Sequence, residues 1–209
     1  MGKLSVAVLS GGASSRMGGE KGLVALAGKP MVAYVVEACR RLSEEVLVVV
    51  DPEKVREYEK VLPSHVAVVP DETAAFKSPL VGVYTALSSC SGKYLMVLPC
   101  DAPLAKVAVL SFLKELAHGW DAVIPRWPNG FIEPLIAVYS VKRSLNASRE
   151  ALRRGRRDMR GLIEQLKPLY VSTLTLQALD PELETFFNVN TPKDLRVAEE
   201  KLIKRSLHV

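Results

Sequence analysis

Residues 4–9, 46–50, 66–69 and 94–98 are short, almost wholly apolar runs, and none alternates with polar residues. A strand with no polar face is buried on both sides, which is the signature of a parallel sheet covered by helices. The segments between them supply those helices. Met31, Val35, Cys39 and Leu42 recur at helical spacing, and so do Leu80, Val83, Tyr84 and Leu87 behind the cap-and-first-turn pair Ser78-Pro79. A short polar helix is expected over 53–60. The βαβαβα order predicts an α/β fold, Rossmann-like, with a mostly parallel sheet and helices on both faces.

The second half is less regular. It predicts a helix over 107–117, strands over 122–124 and 135–139, a helix from about 142, and a further strand over 169–176. Gly28-Lys29-Pro30 reads as a turn with Pro30 near the first helical position. Thr191 and Pro192 open a last helix, with Asp194 complementing its dipole and Leu195, Ala198 and Leu202 facing inward. With 209 residues and neither a repeat nor a low-complexity linker, the expectation is a single domain, 1–209. Within it, 1–104 forms a nucleotide-binding half and 105–209 an acceptor-binding half.

In such sheets ligands bind outside the carboxyl ends of the strands. The stretch after the first strand is Leu9-Ser10-Gly11-Gly12-Ala13-Ser14-Ser15-Arg16-Met17-Gly18-Gly19-Glu20-Lys21. Glycines let backbone N–H groups approach a ligand closely and form an anion-binding concavity, to which Arg16 and Lys21 add full charges. The loop lacks the Gly-Lys-Ser/Thr of a Walker A loop and the G-x-G-x-x-G of a dinucleotide fold. Its pattern, L-x-G-G-x-x-x-R-M-G-x-x-K, resembles the signature loop of nucleotidyltransferases that move an NMP from an NTP onto a phosphate. Asp51, Asp71 and Asp101 each follow one of the other three strands, so four strand ends converge on one crevice.

Asp101 is the best metal ligand. Mg²⁺ takes hard oxygens and needs only one or two carboxylates beside substrate phosphates. Asn188 or Asn190 would complete its shell. The three histidines, His65, His118 and His208, lie far apart, and no His/Cys cluster points to zinc. Asp51 and Asp71 are placed to read base and ribose, and a carboxylate suits the N–H donors of guanine. No covalent nucleophile is needed if the acceptor is itself a phosphate. Arg16, Lys21 and Asp101 then act by positioning and charge neutralisation.

The opening loop, Pro99-Cys100-Asp101-Ala102-Pro103 and Phe187-Asn188-Val189-Asn190-Thr191-Pro192 together resemble the MobA family, the molybdenum cofactor guanylyltransferases. Similarity runs through 4–104, returns at Glu133-Pro134-Leu135 and closes at 186–196. The resemblance implies a nucleotide-diphospho-sugar-transferase-like fold, Mg²⁺ as cofactor, and transfer of GMP from GTP to the phosphate of molybdopterin. It places Leu9, Ser10, Gly11, Gly12 and Lys21 in the GTP-binding loop, Asp71 on GTP, and Asp101 on both GTP and Mg²⁺. Asn188 and Asn190 would lie on the pterin side. Asp51 stands where some members carry asparagine.

The net charge of +5 belongs wholly to residues 105–209, which hold 17 Lys+Arg against 12 Asp+Glu. Arg149, Arg153, Arg154, Arg156, Arg157 and Arg160 make a dense cluster. It reads equally as a solvated face or as a dock for an anionic pterin phosphate (through Arg156 and Arg157) or for a carrier or other cofactor-biosynthesis protein. Trp127 would stack on the pterin or sit in the core. Sister reactions remain open: CTP onto molybdopterin, or GTP onto a cobalamin precursor or phospholactate. A nucleotide- or RNA-binding module without turnover is disfavoured, because three aspartates in the crevice repel a phosphate backbone. No apolar run reaches membrane length, and three dispersed cysteines point to a reduced, cytoplasmic setting.

Overall fold

The computed structural model describes residues 2–11, 19–71 and 78–206. Gly12, Arg16 and the rest of 12–18 therefore lie outside the described residues, as do 72–77. The strands are β1 (Leu4–Ser10), β2 (Ala25–Leu26), β3 (Lys29–Pro30), β4 (Val46–Val50), β5 (Ala67–Pro70), β6 (Tyr94–Pro99), β7 (Ala122–Arg126), β8 (Ala137–Ser140) and β9 (Pro168–Ser172). The helices are α1 (Met31–Arg40), α2 (Val55–Val61), α3 (Pro79–Ser89), α4 (Val107–Glu115), α5 (Val141–Arg153), α6 (Met159–Ile163), α7 (Thr173–Leu176) and α8 (Pro192–Ser206).

Among the described residues one seven-stranded sheet has the order β5-β4-β1-β6-β8-β7-β9. β1 pairs in parallel with β4 and β6, β4 with β5, and β7 with β9. β8 runs against both neighbours, β6 and β7. The expected α/β class with a mostly parallel sheet is thus observed, and the reversed strand brings its start, next to Glu133 and Pro134, to the edge where the other strands end.

Alternate residues of the strands feed two cores. Val6, Val8, Val48, Met96 and Leu98 face α1, α2 and α4 on one side. Ala7, Leu47, Val49, Leu95 and Val97 face α3, α5 and α6 on the other. Most of these side chains are fully buried, each contributing roughly 1.5–3 kcal/mol of transfer free energy. This double burial is why the strands carry no polar alternation.

One local expectation is corrected, and two are observed in more detail. Residues 169–176 do not form one strand: β9 ends at Ser172, whose Oγ accepts from Leu174 N at 3.3 Å, and α7 follows. That side-chain cap turns the chain despite its β-branched composition. Pro30 lies in the hairpin strand β3, just before α1 begins at Met31. The hairpin turns through Ala27 (φ 46°) and Gly28 (φ 88°), and only the second of these suits the left-handed region. The polar helix near 53–60 is a 3₁₀ turn, Pro52–Lys54, running into α2.

At α8 Asp194 N donates to Thr191 Oγ1 at 3.2 Å, while Asp194 Oδ2 accepts from Asn190 N, Thr191 N and Thr191 Oγ1 at 3.0, 2.8 and 2.9 Å. This reciprocal cap fixes the segment leading into the helix. Leu195, Ala198 and Leu202 then pack with Leu26, Met31, Leu104 and Val189, as their spacing predicts. All three cysteines are free thiols. No helix among the described residues is long and apolar enough to cross a membrane.

Candidate active site

The edge at which β1, β4, β5 and β6 end holds Asp51, Asp71 and Asp101, with Lys21 joining Asp101 to Asn190. Lys21 begins a single 3₁₀ turn, Lys21–Leu23, beyond the glycine loop. Its Nζ is ion-paired to Asp101 Oδ2 and donates to Asn190 Oδ1 at 2.7 Å. Asp101 follows β6, and its backbone carbonyl accepts from Val189 N at 2.8 Å. One bond thus ties the β6 turn to the 188–190 segment, and one ammonium group joins three parts of the chain.

Asp101 Oδ1 and Asn188 Oδ1 are buried and have no hydrogen-bond partner. A buried acceptor left unpaired costs on the order of 1–3 kcal/mol, so two such oxygens on segments joined by a backbone bond fit a ligand that wants oxygens. A hard divalent cation is one. The donor set is consistent with Mg²⁺, which is held by few carboxylates. Among the described residues no cluster of three His, Cys, Asp or Glu forms a cage of the kind zinc or calcium uses.

Beside this centre is a cavity of about 230 Å³ lined by Leu9, Gly11, Val49, Asp51, Asp71 and Pro79. It lies at the N-terminus of α3, where Ser78 Oγ accepts from Val81 N at 3.3 Å. Thr85 Oγ1 donates to Asp71 Oδ1 at 2.7 Å and fixes that carboxylate. A Cβ on Gly82 would stand 3.5 Å from Leu9 and 4.0 Å from Asp71 Oδ2, ordinary contact distances, so it would narrow the cavity without a clash. Sequence reading identified both aspartates and missed Thr85, which is visible only once α3 is packed against β5.

The arginines are arranged differently. Arg153 Nε and Arg154 Nε donate to Glu150 at 2.9 and 2.7 Å. Arg156 pairs with Asp158 at 3.1 Å and Glu164 at 3.4 Å. Hydrogen bonds from Arg153 and Arg154 hold Glu150 down at about 2, and Arg156 does the same for Asp158. Arg156 and Arg160 line a broad groove with Arg126, Phe131 and Tyr170, and none of the Lys21–Asp101–Asn190 group lines it. Arg157 is exposed on the same α5–α6 connection.

Trp127 is half-buried. Its Nε1 donates to Glu133 at 2.6 Å, and its ring meets Phe186 edge-on at 5.7 Å. Burial pushes the Glu133 carboxyl up, and the Trp127 bond opposes that. Trp127 is therefore packed in the wall rather than held out for stacking.

A family model described as a MobA-like NTP transferase domain matches residues 6–169. The chain belongs to that family. As a MobA-like protein it is a nucleotidyltransferase. It is 37% identical to a probable molybdenum cofactor guanylyltransferase of Methanothermobacter thermautotrophicus, over 92% of this chain and 98% of that one. It is 30% identical to a molybdenum cofactor guanylyltransferase of Desulfosudis oleivorans, over 92% of each. Among solved structures it is similar to molybdopterin-guanine dinucleotide biosynthesis protein A of Archaeoglobus fulgidus, with a TM-score of 0.81 and 31% identity over 96% of this chain and 99% of that one. The bifunctional IspDF of Campylobacter jejuni, at 13% identity and a TM-score of 0.73, shares the fold.

Proposed function

We propose that this MobA-like protein is a molybdenum cofactor guanylyltransferase, moving GMP from GTP to the terminal phosphate of molybdopterin with release of pyrophosphate. The observation that carries the site assignment is the bridge from Lys21 to both Asp101 and Asn190, which joins the nucleotide loop to the 188–190 segment. Relatives named for this activity match nearly the whole chain, both halves included.

In this reading the guanine base occupies the cavity between Asp51 and Asp71. Their carboxylates accept from its ring and exocyclic N–H groups, with Asp71 held in place by Thr85. Leu9, Ser10, Gly11 and Gly12 enter the loop around the phosphates, and Arg16 adds charge there. Asp101, with Asn188 beside it, holds Mg²⁺, which when bound neutralises charge on the nucleotide phosphates. Lys21 offsets the charge that builds on the transferring and leaving groups. The acceptor phosphate oxygen forms the new bond to the α-phosphorus as the bond to pyrophosphate breaks, so no enzyme nucleophile intervenes. Asn188 and Asn190 face the acceptor. Arg156 and Arg157 serve as an outer dock for its anionic end or for a protein that delivers it, in a cytoplasmic setting.

The test is calorimetric titration of GTP, CTP, ATP and UTP with Mg²⁺ onto the protein and onto Asp101→Ala. GTP preferred by at least tenfold, and weakened in the variant, is the expected result. A preference for CTP would move the assignment to cytidylyl transfer. No binding of any nucleotide would sink the site.

A further inference from the structure

Tyr58 is fully buried although it lies in α2, whose other central residues, Arg56, Glu57, Glu59 and Lys60, are polar. Its hydroxyl donates to Glu20 Oε1 at 2.9 Å. The phenol has one proton, so in the 2.5 Å contact with Ser10 Oγ the serine is the donor. Ser10 is the last residue of β1, where the chain enters the glycine loop, and Glu20 stands where it leaves, directly before Lys21. A side chain from outside the loop therefore ties its entry to its exit.

Gly22 shows how close this joint is. A Cβ there would collide with both Ser10 Oγ and Tyr58 Oη, so the turn carrying Lys21 lies flush on the hydroxyl pair. Leu23 N donates to Glu20 O at 3.0 Å, which connects Glu20 to that turn. Lys21 then reaches Asp101 and Asn190 from this seat.

We propose that the Tyr58 hydroxyl is a positioning group for nucleotide binding: it fixes both ends of the loop and hence Lys21. This rests on the reading that the loop holds the nucleotide. A tyrosine serving only as core packing would be replaceable by phenylalanine without consequence for the ligand. In Tyr58→Phe the ring stays and both bonds go, which predicts about five- to tenfold weaker Mg·GTP binding and a matching rise in KM for GTP. Glu20→Gln keeps an acceptor for the phenol and is expected within about twofold of wild type. Glu20→Ala should weaken GTP about as Tyr58→Phe does, with the double variant little worse than either.

The experiment is calorimetry of Mg·GTP on these full-length variants, together with amide hydrogen exchange over residues 10–23. Faster exchange and weaker GTP in Tyr58→Phe, with Glu20→Gln unaffected, is the expected result. GTP affinity equal to wild type in Tyr58→Phe would overturn the proposal, even if its melting temperature fell. If wild type bound no GTP, the guanylyltransferase reading would fail instead. Exchange would then decide alone: faster exchange in Tyr58→Phe upholds the clamp, and unchanged exchange overturns it.

Discussion

The Lys21–Asp101–Asn190 group and the Arg149–Arg160 stretch hold their charge in opposite ways. The first gathers three polar residues spread over 170 positions of the sequence into one hydrogen-bonded group. The second puts six arginines within twelve positions, yet Arg153, Arg154 and Arg156 spend their guanidinium groups on Glu150, Asp158 and Glu164 close by. Glu150 with Arg153 and Arg154 is an i,i+3 and i,i+4 arrangement on one helix, which forms without tertiary structure. Charge crowded in sequence tends to be balanced locally. The Lys21 group is assembled only by the fold, at the edge where the parallel strands end.

Breaking the centre is expected to have the largest effect. Asp101→Ala should lower turnover by about 10³-fold or more, because Lys21 loses its counter-charge and, in the proposed function, Mg²⁺ would lose its carboxylate. Lys21→Ala should cost about 10²-fold in kcat/KM. Asn190→Ala removes one partner of Lys21 and is expected to cost about five- to tenfold. Steady-state kinetics on the same acceptor reads all three. The contrast sharpens if Arg153→Ala with Arg154→Ala stays within about twofold of wild type, with thermal stability nearly unchanged, as solvent-exposed pairs predict. A tenfold loss in that double variant would break the comparison and extend the proposed dock at Arg156 and Arg157 to Arg153 and Arg154.

The smallest effect concerns acid. Glu184 accepts from Arg205 at 2.6 Å, and Lys106 and Lys201 lie 2.8 and 2.7 Å from it. Burial works to raise its carboxyl, but these three cations outweigh burial and hold it down at about 2 against an ordinary 4.5. A lowered carboxyl stabilises the fold fully above its unfolded value. That contribution falls away as pH drops from about 4.5 toward 2. Melting curves across that window should show acid sensitivity that is blunted in Glu184→Gln.

Much of this was legible in advance, and the reasons are physical. Strands buried on both faces leave an unmistakable apolar run, so β1, β4 and β6 stand out; β5, a partly exposed edge strand, is apolar as well, and with these strands come the aspartates at their ends. Leu195, Ala198 and Leu202 announced the inward face of α8 by spacing alone. Reversal of β8 was not legible, because a four-residue apolar strand reads the same in either direction. The break at Ser172 was hidden because a serine cap competes with β-branched neighbours only through its local geometry. Tyr58 and Thr85 gave no signal, since a hydroxyl that matters through one long-range bond looks like any other tyrosine or threonine. The arginine cluster reads from sequence equally as a solvated face or a dock, and what the fold adds is the local pairing of Arg153, Arg154 and Arg156 with Glu150, Asp158 and Glu164.

The backbone bond from Val189 to Asp101 also sets an order in time. A ribosome makes residues 4–101, with the cavity between Asp51 and Asp71, Lys21 and Asp101, long before it makes 188–206. Synthesis proceeds at about 5–20 residues per second, and a domain folds as a unit. For several seconds the nascent chain therefore holds Lys21 and Asp101 without the asparagine segment to which the fold joins them. A message truncated anywhere before residue 188 yields a protein that lacks Asn188, Asn190 and the α8 cap together.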